Sequence, residues 1–202
     1  MAGLSATNQE VIGVSTPLAL RETLAILNDM QRSGVIGQYA ICGAVAAFRY
    51  IEPAVTQDLD ISVSLPRSEG RIVTFEPILT FLKQAGLLAE WRAEGLVMGF
   101  WPVQFLMADD PLDREALAEA QTILFDGVST RVWRVEHLMA KCIQVGRPKD
   151  LLRLEQFLDE PFEQAVFCAI LARFGLSERW VAYCRRFDRE NFCDRNVLDP
   201  DA

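Results

Sequence analysis

The chain carries a single histidine, His137, among its 202 residues. A serine triad would have to be built on it, yet its neighbours are Glu136 on the same helix and no serine in a G-x-S-x-G elbow. Cys142 lies five residues on, about 140° around a helix of 3.6-residue period, which separates the two groups and disfavours a Cys-His dyad. One histidine and five scattered cysteines, Cys42, Cys142, Cys168, Cys184 and Cys193, supply no closed tetrahedral zinc spacing. There is no C-x-x-C pair, and the odd count leads us to expect buried thiols in a reducing compartment. Long hydrophobic runs are missing as well. The longest, Val35 to Phe48 and Leu96 to Ala108, fall short of the roughly 20 residues of a membrane-crossing helix. The opening MAGLSATNQE lacks a charged start and an apolar stretch, so a cytoplasmic protein is expected.

Net positive charge is also absent. Lys and Arg number 20 against 28 Asp and Glu, a formal charge of −8, which opposes long-range capture of nucleic acid or anionic lipid. A local basic rim between Lys141 and Arg153 is the exception. The four tryptophans, Trp91, Trp101, Trp133 and Trp180, are dispersed without an interleaved basic stripe and read as core or rim aromatics. No repeat, low-complexity stretch or Gly/Ser/Pro-rich linker interrupts the chain. Half of it is hydrophobic and 24% is charged, which is ample for an ordinary core and too apolar for disorder.

Periodicity and breaker residues place the elements. Thr16-Pro17 caps a helix expected over 17–32, and Gln38 to Cys42 reads as a short strand meeting Gly43, with a helix over 44–50. Asp58 to Val63 alternates, with Asp58, Asp60 and Ser62 on one face and Leu59, Ile61 and Val63 on the other, a half-buried strand with an acidic face. Phe75 to Leu82 forms an amphipathic helix ending at Gly86. Hairpins follow at Glu94-Gly95 and Asp126-Gly127, around an extended segment 102–107 and a short helix over 114–120. Helices are predicted over 135–145, 148–158, 162–174 and 177–187, and the last dozen residues as a loose tail. The expected fold class is α+β: a small mixed sheet in a core of residues 1–134, with a helical C-terminal subdomain, 135–202, packed on it.

The chemistry concentrates in Tyr39-Ala-Ile-Cys-Gly-Ala-Val-Ala-Ala-Phe48 and in Asp58-Leu-Asp60. Two carboxylates at i and i+2 of a strand share a side and stay ionised together only if cations share the site, which makes Asp58 and Asp60 a natural magnesium pair. A glycine opening a helix upstream would aim the N–H groups of Gly43 and Ala44 at an anion held by the metal, typically a triphosphate. Gly43 also has a purely structural reading, since a strand-to-helix turn needs backbone freedom in any case.

Gly43 spaced from Asp58-Leu-Asp60, with Thr56 before the pair, resembles the signature of the minimal nucleotidyltransferases of the DNA polymerase β superfamily. Pro102-Val-Gln-Phe-Leu106, Asp110-Pro-Leu112, Glu115-Ala116, Glu136-His-Leu-Met-Ala-Lys141 and Gly146-Arg-Pro-Lys-Asp150 are similar in order and spacing to the bacterial branch that includes AbiEii-type toxins. The likeness spans about Gln38 to Leu158. It implies a nucleotidyltransferase-like core that moves a nucleoside monophosphate from an NTP to a hydroxyl acceptor, a small molecule, an RNA end or a protein. It further implies Mg2+ on Asp58 and Asp60, a triphosphate approached by Lys141, Arg147, Lys149 and Asp150, and a protein antitoxin as partner. Three positions depart from the pattern. Ala44 offers no hydroxyl, Ala54 stands where an arginine is common, and Gln104 stands where the family brings a third carboxylate. A glutamine can ligate through its carbonyl but cannot take a proton at neutral pH. The alternative reading is therefore a catalytically impaired nucleotide-binding or partner-regulated module of the same fold.

Overall fold

The computed structural model describes residues 20–53, 56, 58–66, 75–87, 89–92, 95–98 and 101–197; of residues 91, 92, 95, 101 and 195–197 only the backbone is described. The cap at Thr16-Pro17, Ala54 and Glu94 lie outside the described residues.

Seven strands form one mixed sheet: β1 (Tyr39–Ile41), β2 (Leu59–Val63), β3 (Ala89–Arg92), β4 (Gly95–Met98), β5 (Trp101–Met107), β6 (Gln121–Phe125) and β7 (Val128–Val132), in the order β3-β4-β5-β2-β1-β7-β6. The sheet is larger than the small one expected. β2 lies inside it, antiparallel to β1 and parallel to β5. Its apolar face supplies Leu59, Ile61 and Val63, all fully buried, each worth about 1.5–3 kcal/mol of burial. Ser62, on the side expected to be wet, is only 2% exposed, so the acidic face opens at Asp58 and Asp60 and closes again toward the strand's end.

The helices are α1 (Leu20–Arg32), α2 (Gly43–Ala47), α3 (Glu76–Gln84), α4 (Pro111–Ala118), α5 (Val135–Val145), α6 (Pro148–Leu158), α7 (Gln164–Arg173) and α8 (Ser177–Phe187). The expected α+β class is observed, and α5, α6 and α8 match their predicted bounds. α1 buries Leu24, Leu27 and Met30, a stripe at helical spacing. α2 is shorter than the 44–50 expected, because Phe48 to Tyr50 turn out of the helix ahead of Glu52-Pro53. α4 begins at Pro111 rather than Arg114. Asp110 caps it by accepting from the Leu112 N–H at 2.8 Å, and proline suits the first helical position, whose N–H needs no partner. The Asp126-Gly127 hairpin has both residues at positive φ, +45° and +79°, the mirror-image turn that matches strand twist. α5 packs against α2, α4, α6, α7 and α8 and thereby joins the sheet to the C-terminal helices.

The tail departs from expectation. Cys168 of α7 is disulfide-bonded to Cys193, within a 3-10 helix (Phe192–Val197) that docks Phe192 among Phe162, Phe167 and Trp180. Aromatic burial and a covalent tie hold a segment that local composition alone leaves loose. Cys42, Cys142 and Cys184 are the buried free thiols, so only three of the five cysteines fit the expected pattern, and the cysteines carry no argument for a reducing compartment. No helix among the described residues is long and apolar enough to cross a membrane.

Closing a loop of 25 residues by a cross-link stabilises a folded chain by about 3 kcal/mol in the chain-entropy picture. Reduction with dithiothreitol, or Cys168→Ser, is expected to lower the urea midpoint by an amount of that order while leaving α1 and the sheet folded, as read by far-UV circular dichroism.

Candidate functional site

Gly43 follows β1 after the single residue Cys42 and opens α2 with φ +61°, a conformation that costs an L side chain about 1 kcal/mol or more. Asp60 sits on the neighbouring strand, and the Cys42 N–H donates to the Asp60 carbonyl at 2.9 Å. This pairing brings the Asp60 side chain onto Gly43. A Cβ at residue 43 would lie 1.9 Å from Asp60 Oδ2 and 2.7 Å from its carboxyl carbon. The glycine is thus required by the carboxylate itself, before any ligand is considered.

Asp58 precedes β2 and is held from two directions. Thr56 Oγ1 donates to Asp58 Oδ1 at 3.0 Å, and Gln104 Nε2 donates to Asp58 Oδ2 at 2.7 Å. Gln104 reaches it because β5 runs parallel to β2 with Gln104 opposite Asp60. The structure therefore gathers Gly43, Thr56, Asp58, Asp60 and Gln104 at one point. Asp109 and Asp110, the acidic residues that follow β5, make no hydrogen bond or ion pair with them among the described residues. Asp110 caps α4 and accepts from Gln144 Nε2 at 3.0 Å, while the charge of Asp58 acts on Asp60.

Burial, followed by the negative charge of Asp58, pushes the Asp60 carboxyl up to about 6, and the positive charges of Arg153, Lys149 and Arg147 act in the opposite direction. No side chain among the described residues donates a hydrogen bond to that carboxylate. Two hard oxygen donors in a half-buried, like-charged pair form a set suited to a divalent cation, and Gln104 would add only a neutral oxygen.

The other sequence-predicted residues lie around this point with partners of their own. Lys141 Nζ pairs with Asp113 Oδ1 at 2.6 Å and donates to Gln144 Oε1 at 2.9 Å, which joins α5 to the start of α4. Arg147 and Asp150 bind each other, Nε to Oδ2 at 2.7 Å and Nη2 to Oδ1 at 3.1 Å. Asp150 Oδ2 also accepts from the Arg147 N–H at 3.2 Å, a reciprocal cap on α6. Lys149 is exposed. Ala44 offers its backbone only.

Two features were not singled out from the sequence. Arg153, one turn after Lys149, acts on Asp60 more strongly than Lys149 or Arg147 does; the i, i+4 spacing from Lys149 was the readable signal. Separately, Glu115 and Glu119 of the α4 end converge on His137 of α5, with ligand atoms within 4.8 Å of one another. His137 is fully buried, its burial lowers its pKa, and its Nε2 lies 3.3 Å from Glu115 Oε1, while Arg173 pairs with Glu115 Oε2 at 2.5 Å.

No protein-family model and no curated protein matches the chain. Solved structures do. An antigenic nucleotidyltransferase-like protein from Paracoccidioides brasiliensis is 14% identical over 71% of this chain and 77% of its own, with a TM-score of 0.49. ANT(2")-Ia in complex with adenylyl-2"-tobramycin is 13% identical over 82% and 99%, TM-score 0.37. The solution structure of the antibiotic-resistance factor ANT(2'')-Ia is 13% identical over 83% and 94%, TM-score 0.36. These superpositions are loose, and the reading of the site rests on the chain's own residues.

Gly43→Ala is expected to cost at least about 1–2 kcal/mol in urea unfolding, through positive φ and displacement of Asp60, and to abolish Mn2+ binding in calorimetry. The carboxyl at Asp60 has a folded pKa above its unfolded value, so the folded state binds the extra proton. In metal-free buffer this group penalises stability above about pH 6, and the penalty disappears as pH falls through that value toward 3.8. Asp60→Asn should remove this part of the pH dependence and raise the pH 7 stability by on the order of 1–3 kcal/mol.

Proposed function

We propose that the chain is a metal-dependent nucleotidyltransferase-like protein that binds an NTP and transfers its nucleoside monophosphate to a hydroxyl acceptor. The observation that carries this reading is the meeting of Asp58 and Asp60, packed against a side-chain-free Gly43, with the charge of a basic helix face bearing on Asp60. Acidic and basic groups acting on one half-buried point without pairing suit a ligand that is itself cation and polyanion together. The core of residues 1–134 supplies the carboxylates, and the helical part, 135–202, the cations.

Asp58 and Asp60 would hold Mg2+, since the donor set is hard oxygen and the two carboxylates adjoin at a half-buried point, where burial first and the Asp58 charge second raise the Asp60 pKa. Bound there, the ion supplies charge neutralisation at the phosphates and orients them. Thr56 and Gln104 orient Asp58 from either side, and Gly43 lets Asp60 come close. In the transfer, the acceptor oxygen bonds to the α-phosphorus, the bond to the β-phosphate bridge breaks, and pyrophosphate leaves. Gln104 cannot take the hydroxyl proton, so that proton passes to solvent or to the departing phosphate.

A second reading has one observation in its favour: Gln104 spends its amide nitrogen on Asp58, where a carboxylate would add a third negative charge. On this reading the protein binds the nucleotide without turning it over, as a sensor or a module regulated by a protein partner. The motif order from Gly43 to Asp150 supports kinship with AbiEii-type toxins, for which that partner would be an antitoxin.

Calorimetry with each of the four NTPs and Mg2+ tests the reading. Magnesium-dependent binding is expected in the wild type and is expected to fall at least 100-fold in Asp58→Ala/Asp60→Ala. Pyrophosphate release in cell extract then separates transfer from binding alone, and absence of NTP binding by the wild type would overturn both.

A further inference from the structure

His137 is a buried polar group that nucleotide transfer does not use. Its side chain is fully enclosed in the first turn of α5, yet Nδ1 has no hydrogen-bond partner. Nε2 has one polar contact among the described residues, Glu115 Oε1 at 3.3 Å. An N–H group facing an ionised carboxylate normally closes to about 2.7–2.9 Å, and a buried imidazole kept for structure alone normally has its nitrogens answered. Hydrogen bonding therefore does not account for a ring held in this orientation.

The ring faces negative charge. Glu115 and Glu119 stand at i and i+4 at the end of α4, where the helix dipole adds to their own charges. One oxygen of each carboxylate and one imidazole nitrogen lie within 4.8 Å of one another. Arg173 of α7 engages Glu115 through Oε2, at 2.5 Å, which leaves Oε1 turned to the ring. Glu119 is exposed, and its carboxylate has no hydrogen bond or ion pair among the described residues. Arg134, whose charge also reaches His137, pairs with Glu136 and Glu163 instead.

We propose that Glu115, Glu119 and His137 form a second metal site, for a first-row transition cation of the Zn2+ class, that shares no residue with Asp58 and Asp60. A tetrahedral ion with bonds of about 2.0–2.2 Å sets its ligands about 3.3–3.5 Å apart, which is the spacing of Nε2 and Glu115 Oε1. An imidazole in the donor set favours Zn2+, Co2+ or Ni2+ over Mg2+, which takes oxygen. Three protein ligands leave the fourth position to water, and Glu119 marks the solvent side from which the ion enters. Arg173 orients Glu115 from behind, as an outer partner of a ligating carboxylate does. Nδ1 has no acceptor for the ring proton, so the dissociation constant is expected on the order of micromolar, well short of a closed structural zinc site. The ligands come from helices on either side of the β6–β7 hairpin, so the ion staples α4 to α5 whether or not the chain binds a nucleotide.

The test uses the full, untagged chain, stripped with EDTA and returned to metal-free buffer, with Zn2+ as the probe. His137 is the only histidine, so proton–nitrogen NMR of the imidazole reads one ring. Zn2+ is expected to move its Nε2 resonance, and Mg2+ at equal concentration is expected to leave it in place. Calorimetry on Asp58→Ala/Asp60→Ala, which lacks the other carboxylate pair, is expected to show one Zn2+ per chain. Thiols do not compete, because Cys42, Cys142 and Cys184 are buried and Cys168 is bonded to Cys193. Glu119→Gln, an isosteric change at an exposed position, is expected to weaken Zn2+ binding about 10-fold or more and to shrink the rise in thermal midpoint that Zn2+ produces. A wild-type imidazole resonance that Zn2+ leaves unmoved up to about 1 mM overturns the inference, and this reading does not depend on the folding of any variant. Zn2+ binding that Glu119→Gln leaves unchanged overturns it as well. Either result leaves the nucleotide reading standing, since that is decided by NTP binding at Asp58 and Asp60.

Discussion

Asp60 occupies the space in which any side chain at residue 43 would have to sit, and much of the architecture follows from accommodating that carboxylate. A negative charge on an interior strand of a seven-stranded sheet is costly to desolvate, and burial accordingly pushes the Asp60 carboxyl up. The protein keeps the charge there by leaving one face of β2 open at Asp58 and Asp60 while closing the other with Leu59, Ile61 and Val63. It also surrounds the pair with orienting groups rather than neutralising ones, Thr56 and Gln104 on Asp58 and a backbone free of Cβ beside Asp60.

The C-terminal helices complete this arrangement from a distance. α5 packs on both α2 and α6, so the turn at Gly43 and the basic face of α6 are tied to one element. Internal ion pairs, Lys141 with Asp113 and Arg147 with Asp150, hold that geometry, and they divide the local cations into those that build the scaffold and those whose charge is unspent. The polar seam between α4 and α5 continues to His137 and its two glutamates, where burial lowers the imidazole pKa.

The sequence was most informative where local rules and the observed structure agree. The 3.6-residue stripe of Leu24 and Leu27, the Asp126-Gly127 turn and the alternation from Asp58 to Val63 are each short-range signals, and packing overrode them only at Ser62, which the sheet buries. The D-x-D pair with its upstream glycine was legible for the same reason, because spacing along a strand decides which side chains share a face. The role of Gly43 was only half legible: a turn was readable, but its cause, the approach of Asp60 from the adjacent strand, depends on pairing between β1 and β2.

What the chain by itself determined is therefore the α+β class, most element boundaries, and the candidate carboxylates, all properties of residues near one another in sequence. Tertiary structure alone decided the seven-strand order, the tie between Cys168 and Cys193, and the hydrogen bond that brings Gln104 to Asp58 across 46 residues. It also decided which basic residues are already paired. Each of these depends on contacts between elements distant in sequence, whose partners are selected by burial and charge compensation over the whole fold, and no local pattern encodes that selection.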